Sequence, residues 1–321
     1  MDPLNLVKLT RLMELTGGSP EVVIGLIDGP VAIDHPDLAK DSVRELPGGL
    51  PGTCTIANSV ACTHGTFVAG ILCAKRDSRA PAICPQCTLL VRPIFSEIVS
   101  GNGPMPSASP EELAAAIRDA IAAGARVINL SAALVQASLK GERELSEALD
   151  QAARRGVIVV AAAGNQGSIG STTITRHPWV IPVAACDGQG RPLDYSNLGN
   201  SIGRRGLSAP GDHITSLGAN GKSPLFSGTS AAAPFVTGAI ALLFSEFPKA
   251  TAAEVKLAVS RAPAPRRMVV PPLLDAGSAY QVMAANQGRR WGPERRKGTE
   301  QSDRQVRTPA PPGAPAGVHY R

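Results

Sequence analysis

Five short, nearly unbroken apolar runs constrain this chain more than any other feature. They are Val22 to Ile27, Thr88 to Ile94, Arg126 to Leu130, Val157 to Ala161 and Val180 to Ala184. A strand with one wet face alternates apolar and polar residues, whereas a continuous apolar run suits a strand buried on both faces. Helical stretches separate the runs. Pro110 to Ala123 opens with Ser109 as N-cap, Pro110 at the first helical position and Glu111-Glu112 in the first turn. Glu142 to Arg155 stops at Gly156, and Leu4 to Leu15 reads as one short amphipathic helix. Thr229 to Phe247 is long and apolar, and Thr251 followed by Glu254 caps a helix running to Arg261. Strands alternating with helices predict an α/β fold, a mostly parallel sheet covered on both sides.

The formal net charge of +6 points first to an anionic partner, but its location removes that reading. From Asn286 onward eight basic residues face three acidic ones, so residues 1–285 carry a net charge of only +1. A nearly neutral body gives no electrostatic case for nucleic-acid binding. The 286–321 stretch is rich in Pro, Gly and Arg and is expected to be a disordered basic tail; residues 1–285 are expected to form one domain. Apolar residues never run uninterrupted for about 18 positions, so no membrane span is expected. Asp2, Lys8, Arg11 and Glu14 interrupt the leucines of the first turns, which is unlike a secretory signal. The expected compartment is the cytoplasm, and the expected state a monomer.

Ligands of open parallel sheets bind at the carboxyl ends of the strands. Four polar residues fall at element ends: Asp28 closing the first run, His64 opening an apolar helix, Asn165 just past the fourth run, and Ser230 where a loop enters a helix. Together they are the set acyl transfer needs. A serine hydroxyl becomes a nucleophile when a histidine removes its proton. A buried carboxylate fixes the imidazole tautomer and stabilises the imidazolium. An asparagine amide donates to the oxyanion.

With these residues in the order Asp, His, Ser, the sequence resembles the subtilisin-like serine peptidases (subtilases, peptidase family S8). The blocks are Val23–Gly29, His64–Gly70, Arg126–Ser131, Val157–Gly167 and Leu225–Leu243, the last including Gly-Thr-Ser-x-Ala-x-Pro in full. The resemblance implies a three-layer fold with a seven-stranded, mostly parallel sheet. It implies Asp28, His64 and Ser230 as catalytic triad and Asn165 as oxyanion donor. It also implies Ser131, Ala132 and Ala133 as the strand that pairs with substrate backbone, faced by Ser96 to Gly103. Asp-Gly-Pro at 28–30, Cys87 to Phe95, and Pro192 to Asn197 are similar to cyanobactin maturation proteases of the PatA type, which cleave a leader from a ribosomally made precursor. The expected function is therefore a serine endopeptidase, with leader removal from a precursor peptide as its narrower form, acting on a peptide or protein without cofactor or metal. General intracellular turnover and a non-catalytic peptide-binding pseudoprotease are the alternatives. Only 27 residues precede Asp28, too few for the family's folding propeptide, which supports an enzyme made without self-processing.

Phe67 departs from the family, where many members have a second His. Cys84-Pro85-Gln86-Cys87 has CxxC spacing but lacks a second ligand pair for zinc, so structural thiols are expected. Cys54 and Cys62 flank the approach to His64; a cytoplasmic chain favours free thiols there. His35 is expected to shape its loop, and His177 with Trp179 to pack.

Overall fold

The apolar runs become the inner strands of one parallel sheet. The computed structural model describes residues 2–56, 58–97, 108–131, 139–261 and 269–288. Its strands are β1 (Val23–Asp28), β2 (Val43–Glu45), β3 (Thr88–Pro93), β4 (Val127–Leu130), β5 (Ile158–Ala162), β6 (Val180–Cys186) and β7 (Leu207–Pro210). They pair in the order β2-β3-β1-β4-β5-β6-β7, every pair parallel. The edge strands β2 and β7 are absent from the sequence reading for a physical reason. In β2 only Val43 is buried, so no apolar run marks it. A two-stranded antiparallel hairpin, β8 (Ile214–Thr215) and β9 (Leu225–Phe226), stands apart from the sheet.

Helices α1 (Pro3–Leu6), α2 (Thr10–Leu15), α3 (Val60–Cys73), α8 (Thr229–Glu246), α9 (Ala252–Ser260) and α10 (Ala276–Asn286) belong to one side of the sheet; α4 (Pro110–Ala122), α5 (Leu139–Arg155) and α6 (Thr173–Arg176) to the other. A short α7 (Asn200–Arg205) packs on β6. The two apolar clusters confirm the layers strand by strand. In β4, Val127 joins the α3/α8 cluster while Ile128 and Leu130 join the α4/α5 cluster, the period of two that a pleated strand imposes. This is the three-layer α/β architecture expected from the sequence.

Local signals hold where their chemistry is specific. Ser109 Oγ accepts from Glu112 N at 3.1 Å. Thr251 and Glu254 form the reciprocal capping box, with Thr251 N donating to Glu254 Oε2 at 2.8 Å. Two expectations need correction. Leu4 to Leu15 is two helices, broken where Lys8 takes φ +54°. His64 does not open its helix: α3 begins at Val60, with Ser59 Oγ accepting from Cys62 N at 3.0 Å, so His64 sits a full turn in. Among the described residues α8 alone is long and apolar enough to cross a bilayer, yet 83% of it is buried within the fold. It is the central core helix, packed against β4, β5, β6 and β7. The expected boundary at 285 falls within the last turn of α10, and the expected tail lies almost wholly outside the described residues.

Two glycines set how closely α3 approaches the end of β1. A Cβ on Gly29 would collide with the Ala61 carbonyl oxygen, and one on Gly65 with the carbonyl oxygens of Pro30 and Gly29. Gly65→Ala is expected to destabilise the protein by about 1–3 kcal/mol, because both neighbours are backbone and the helix must shift. A urea or thermal unfolding midpoint checks this; an unchanged midpoint would refute the contact.

Candidate active site

Asp28 and His64 meet across the gap those glycines leave. Asp28 is fully buried at the carboxyl end of β1, and its Oδ1 lies 2.6 Å from His64 Nδ1. The same Oδ1 accepts from Gly29 N at 2.6 Å. The bond at Nδ1 leaves Nε2 as the imidazole's free nitrogen, the tautomer a general base requires. Burial disfavours the imidazolium, but the Asp28 charge and hydrogen bond outweigh it, and the His64 pKa is raised above 6.5.

The segment that leads to Ser230 packs on this pair through Phe226. Phe226, four residues before Ser230, stacks on the His64 ring at 6.5 Å between centroids and packs at a 40° tilt on Phe67 at 4.7 Å. The residue at 67 thus has a use the sequence did not reveal: its ring backs the ring that backs His64. From Phe226 the chain turns through Gly228, at φ +147°, into α8, and Ser230 is the second residue of that helix. Pro234 lies four residues on and has no N–H, so the Ser230 carbonyl lacks its intrahelical donor.

Thr229 connects this turn to Asn165. Asn165 Oδ1 accepts from Thr229 N at 2.9 Å and from Thr229 Oγ1 at 3.0 Å, and Thr229 Oγ1 in turn accepts from Gly164 N at 3.1 Å. With its oxygen fixed, the Asn165 amide must turn its NH₂ the other way. Neither Asn165 Nδ2 nor the Ser230 backbone N–H donates to any group among the described residues. Both donors belong to groups that meet at Thr229, at the start of α8. A cavity of about 260 Å³ is lined by Ala163, Ser168, Gly170, Ser171, Thr172, Thr175, Asn197 and Ile202; neither Asn165 nor Ser230 lines it.

Ser131 follows β4, buried, with its Oγ accepting from Asn129 Nδ2 at 2.8 Å. Ala132 and Ala133 lie outside the described residues, as do 98–103 of the facing segment. Glu97, just before that segment, is a residue the sequence reading missed. It accepts from Thr55 Oγ1, from Thr55 N at 2.8 Å, from Ile56 N at 2.9 Å and from Ser59 Oγ at 3.2 Å. Burial pushes its pKa up, but these bonds win and hold it below the usual glutamate value. No spacing rule marks such a contact, because Glu97 and its partners are about 40 residues apart.

The cysteines divide in two. Cys54 and Cys62 are joined as a disulfide, which corrects the expectation of free thiols; α3 and its approach loop hold the two Cα atoms 5.5 Å apart. Cys73, Cys84, Cys87 and Cys186 are free and buried, and burial pushes the Cys186 thiol up to about 12. His35 shapes its loop, with Nδ1 accepting from Asp37 N at 3.1 Å. His177 packs with α5, Nε2 lying 3.2 Å from Asp150 Oδ1, and does not line the cavity between Ala163 and Asn197.

The fold is a parallel α/β sheet with Asp28 and His64 paired at the carboxyl end of β1, and the chain belongs to the Subtilase family, whose profile matches residues 19–288. Family homologues are serine endopeptidases. Subtilisin DY of Bacillus licheniformis is 29% identical over 256 residues, covering 78% of this chain and 86% of the relative. Subtilisin NAT of Bacillus subtilis subsp. natto is 30% identical over 240 residues, 73% of this chain; the match spans only 58% of that relative's length. Among solved structures, a mutant of the protease domain of PatA superposes with TM-score 0.74 at 30% identity, covering 84% of this chain and 97% of that one. The prenylagaramide maturation protease PagA gives TM-score 0.74 at 30% identity, covering 86% and 98%.

His64 is expected to titrate above pH 6.5. In Asp28→Asn the raising interactions go and burial remains, so its pKa should fall below that value. NMR titration of the imidazole across pH 4–9 in both proteins checks the sign; a shift upward in the variant would refute the assignment.

Proposed function

We propose that this chain is a serine endopeptidase that works through an acyl-enzyme. His64 Nε2 takes the Ser230 proton, and Ser230 Oγ attacks the substrate carbonyl. The oxyanion is received by Asn165 Nδ2 and the Ser230 N–H. His64, now an imidazolium steadied by Asp28, returns the proton to the leaving amine. Water, activated by the same imidazole, then resolves the ester. The observation that carries this reading is the Thr229 clamp. It spends the oxygen of Asn165 and leaves the donor facing the nucleophile's own turn.

The narrower proposal is that the substrate is a ribosomally made precursor peptide whose leader is removed. Its support is the likeness to PatA and PagA, both maturation proteases by name, over most of this chain and nearly all of theirs. A monomeric cytoplasmic enzyme acting without cofactor or metal completes the proposal.

Ser230→Ala is expected to abolish proteolysis with the fold retained, read by circular dichroism and cleavage of a fluorogenic peptide. Asn165→Ala is expected to lower kcat by about 10²–10³, the range established for this donor in the subtilisins themselves. Denatured casein separates the narrow proposal from general turnover. Slow, selective cutting supports leader removal, and rapid unselective digestion would overturn it. Failure of the wild-type protein to react with a fluorophosphonate would overturn catalysis altogether.

A further inference from the structure

We infer that Asn129 is a positioning residue that locks the Ser131 end of β4 to the helix bearing Ser230. The inference rests on the reading of Ser131 as a substrate-backbone contact. Asn129 is a fully buried polar side chain in the middle of an otherwise apolar strand, VINL. Such a residue is costly unless both ends of its amide are satisfied. Both are. Nδ2 donates to Ser131 Oγ at 2.8 Å, and Oδ1 accepts from Thr237 Oγ1 at 2.8 Å. Thr237 is itself fully buried, in α8.

The placement of the two partners gives the bridge its meaning. Thr237 is seven residues after Ser230, two helical turns and about 10.5 Å along the same face. Asn129 and Ser131, two apart on an extended chain, point to the same side of the sheet, the side on which α8 lies. The three residues therefore form one chain of bonds from the nucleophile's helix to the strand end. Ser131 needs the anchor because the sheet is letting it go. Its N–H reaches Ile27 O only at 3.5 Å, the outer limit of a hydrogen bond. Where the backbone ladder fades, the Asn129 amide fixes the rotamer of Ser131 and, through it, the direction of the strand end. A serine held only by the ladder would be free to tilt relative to Ser230, and small misplacements of this kind cost rate.

A purely structural role would lower every activity together, whereas a positioning role is selective. Fluorophosphonate labelling of Ser230 needs the triad and oxyanion hole but no peptide arm. Cleavage of a peptide with four or more residues before the scissile bond needs the strand end as well. In Asn129→Leu, which keeps the branching and heavy-atom count of the side chain and removes both bonds, kcat/KM for the extended peptide is expected to fall at least ten-fold. The labelling rate should stay within two-fold of wild type. Should Asn129→Leu fail to fold, Thr237→Val carries the same comparison with a loss of several-fold, restored by Thr237→Ser. Peptide turnover unchanged in the folded variants, or labelling that falls in step with it, would overturn the proposal. Wild-type protein that does not label would instead overturn the reading of Ser230 as nucleophile, so the two failures are distinct.

Discussion

The 2.6 Å contact between Asp28 and His64 is the interaction on which the rest of the site depends. It joins the end of the central strand to a helix, and strand ends and helices do not ordinarily come so close. The approach is possible because the two facing positions, Gly29 and Gly65, have no Cβ. Ser59 and Glu97 fix where the helix starts, and the Cys54–Cys62 bridge closes the loop leading into it. A buried carboxylate and a nearly buried imidazole then hold one another in the protonation pattern that base catalysis needs.

The sheet topology explains why the functional groups converge. The chain leaves β1 for β2 and β3 on one side and returns past β1 to β4 on the other. The crevice at such a reversal opens at the carboxyl ends of the strands. Asp28 ends β1, Ser131 follows β4, and Asn165 lies three residues past β5. Helix α8 crosses beneath, contacting β4, β5, β6 and β7, so the nucleophile rides on the element with the widest hold on the sheet.

Much of this was legible in the sequence, and the division follows range. Buried strands announce themselves because their signal is a local run of side chains. Caps at Ser109 and Thr251 were readable because donor and acceptor lie three residues apart. Asp28, Asn165 and Ser230 stand out in the sequence because each falls at or just past the end of such a local element, whereas His64 lies a full turn inside its helix. Contacts between distant segments were not readable. Glu97 under the Thr55 loop, Phe226 behind His64, the Thr229 clamp and the Cys54–Cys62 bridge are all set by tertiary packing. The edge strand β2 escaped because its residues face water, and the break at Lys8 because the hydrophobic spacing runs straight through it.

Pro234 gives the long helix an uneven stiffness. Along most of α8 each carbonyl is tied to an amide one turn ahead, but the Ser230 carbonyl is not. The first turn is therefore the least braced stretch of an otherwise rigid rod. A serine that must close on a planar carbonyl and then carry a tetrahedral carbon has to move by a fraction of an ångström. Without a Pro234 N–H the Ser230 carbonyl has no i+4 tether to break, so in the proposed reaction the compliance of Ser230 is confined to one turn of the helix.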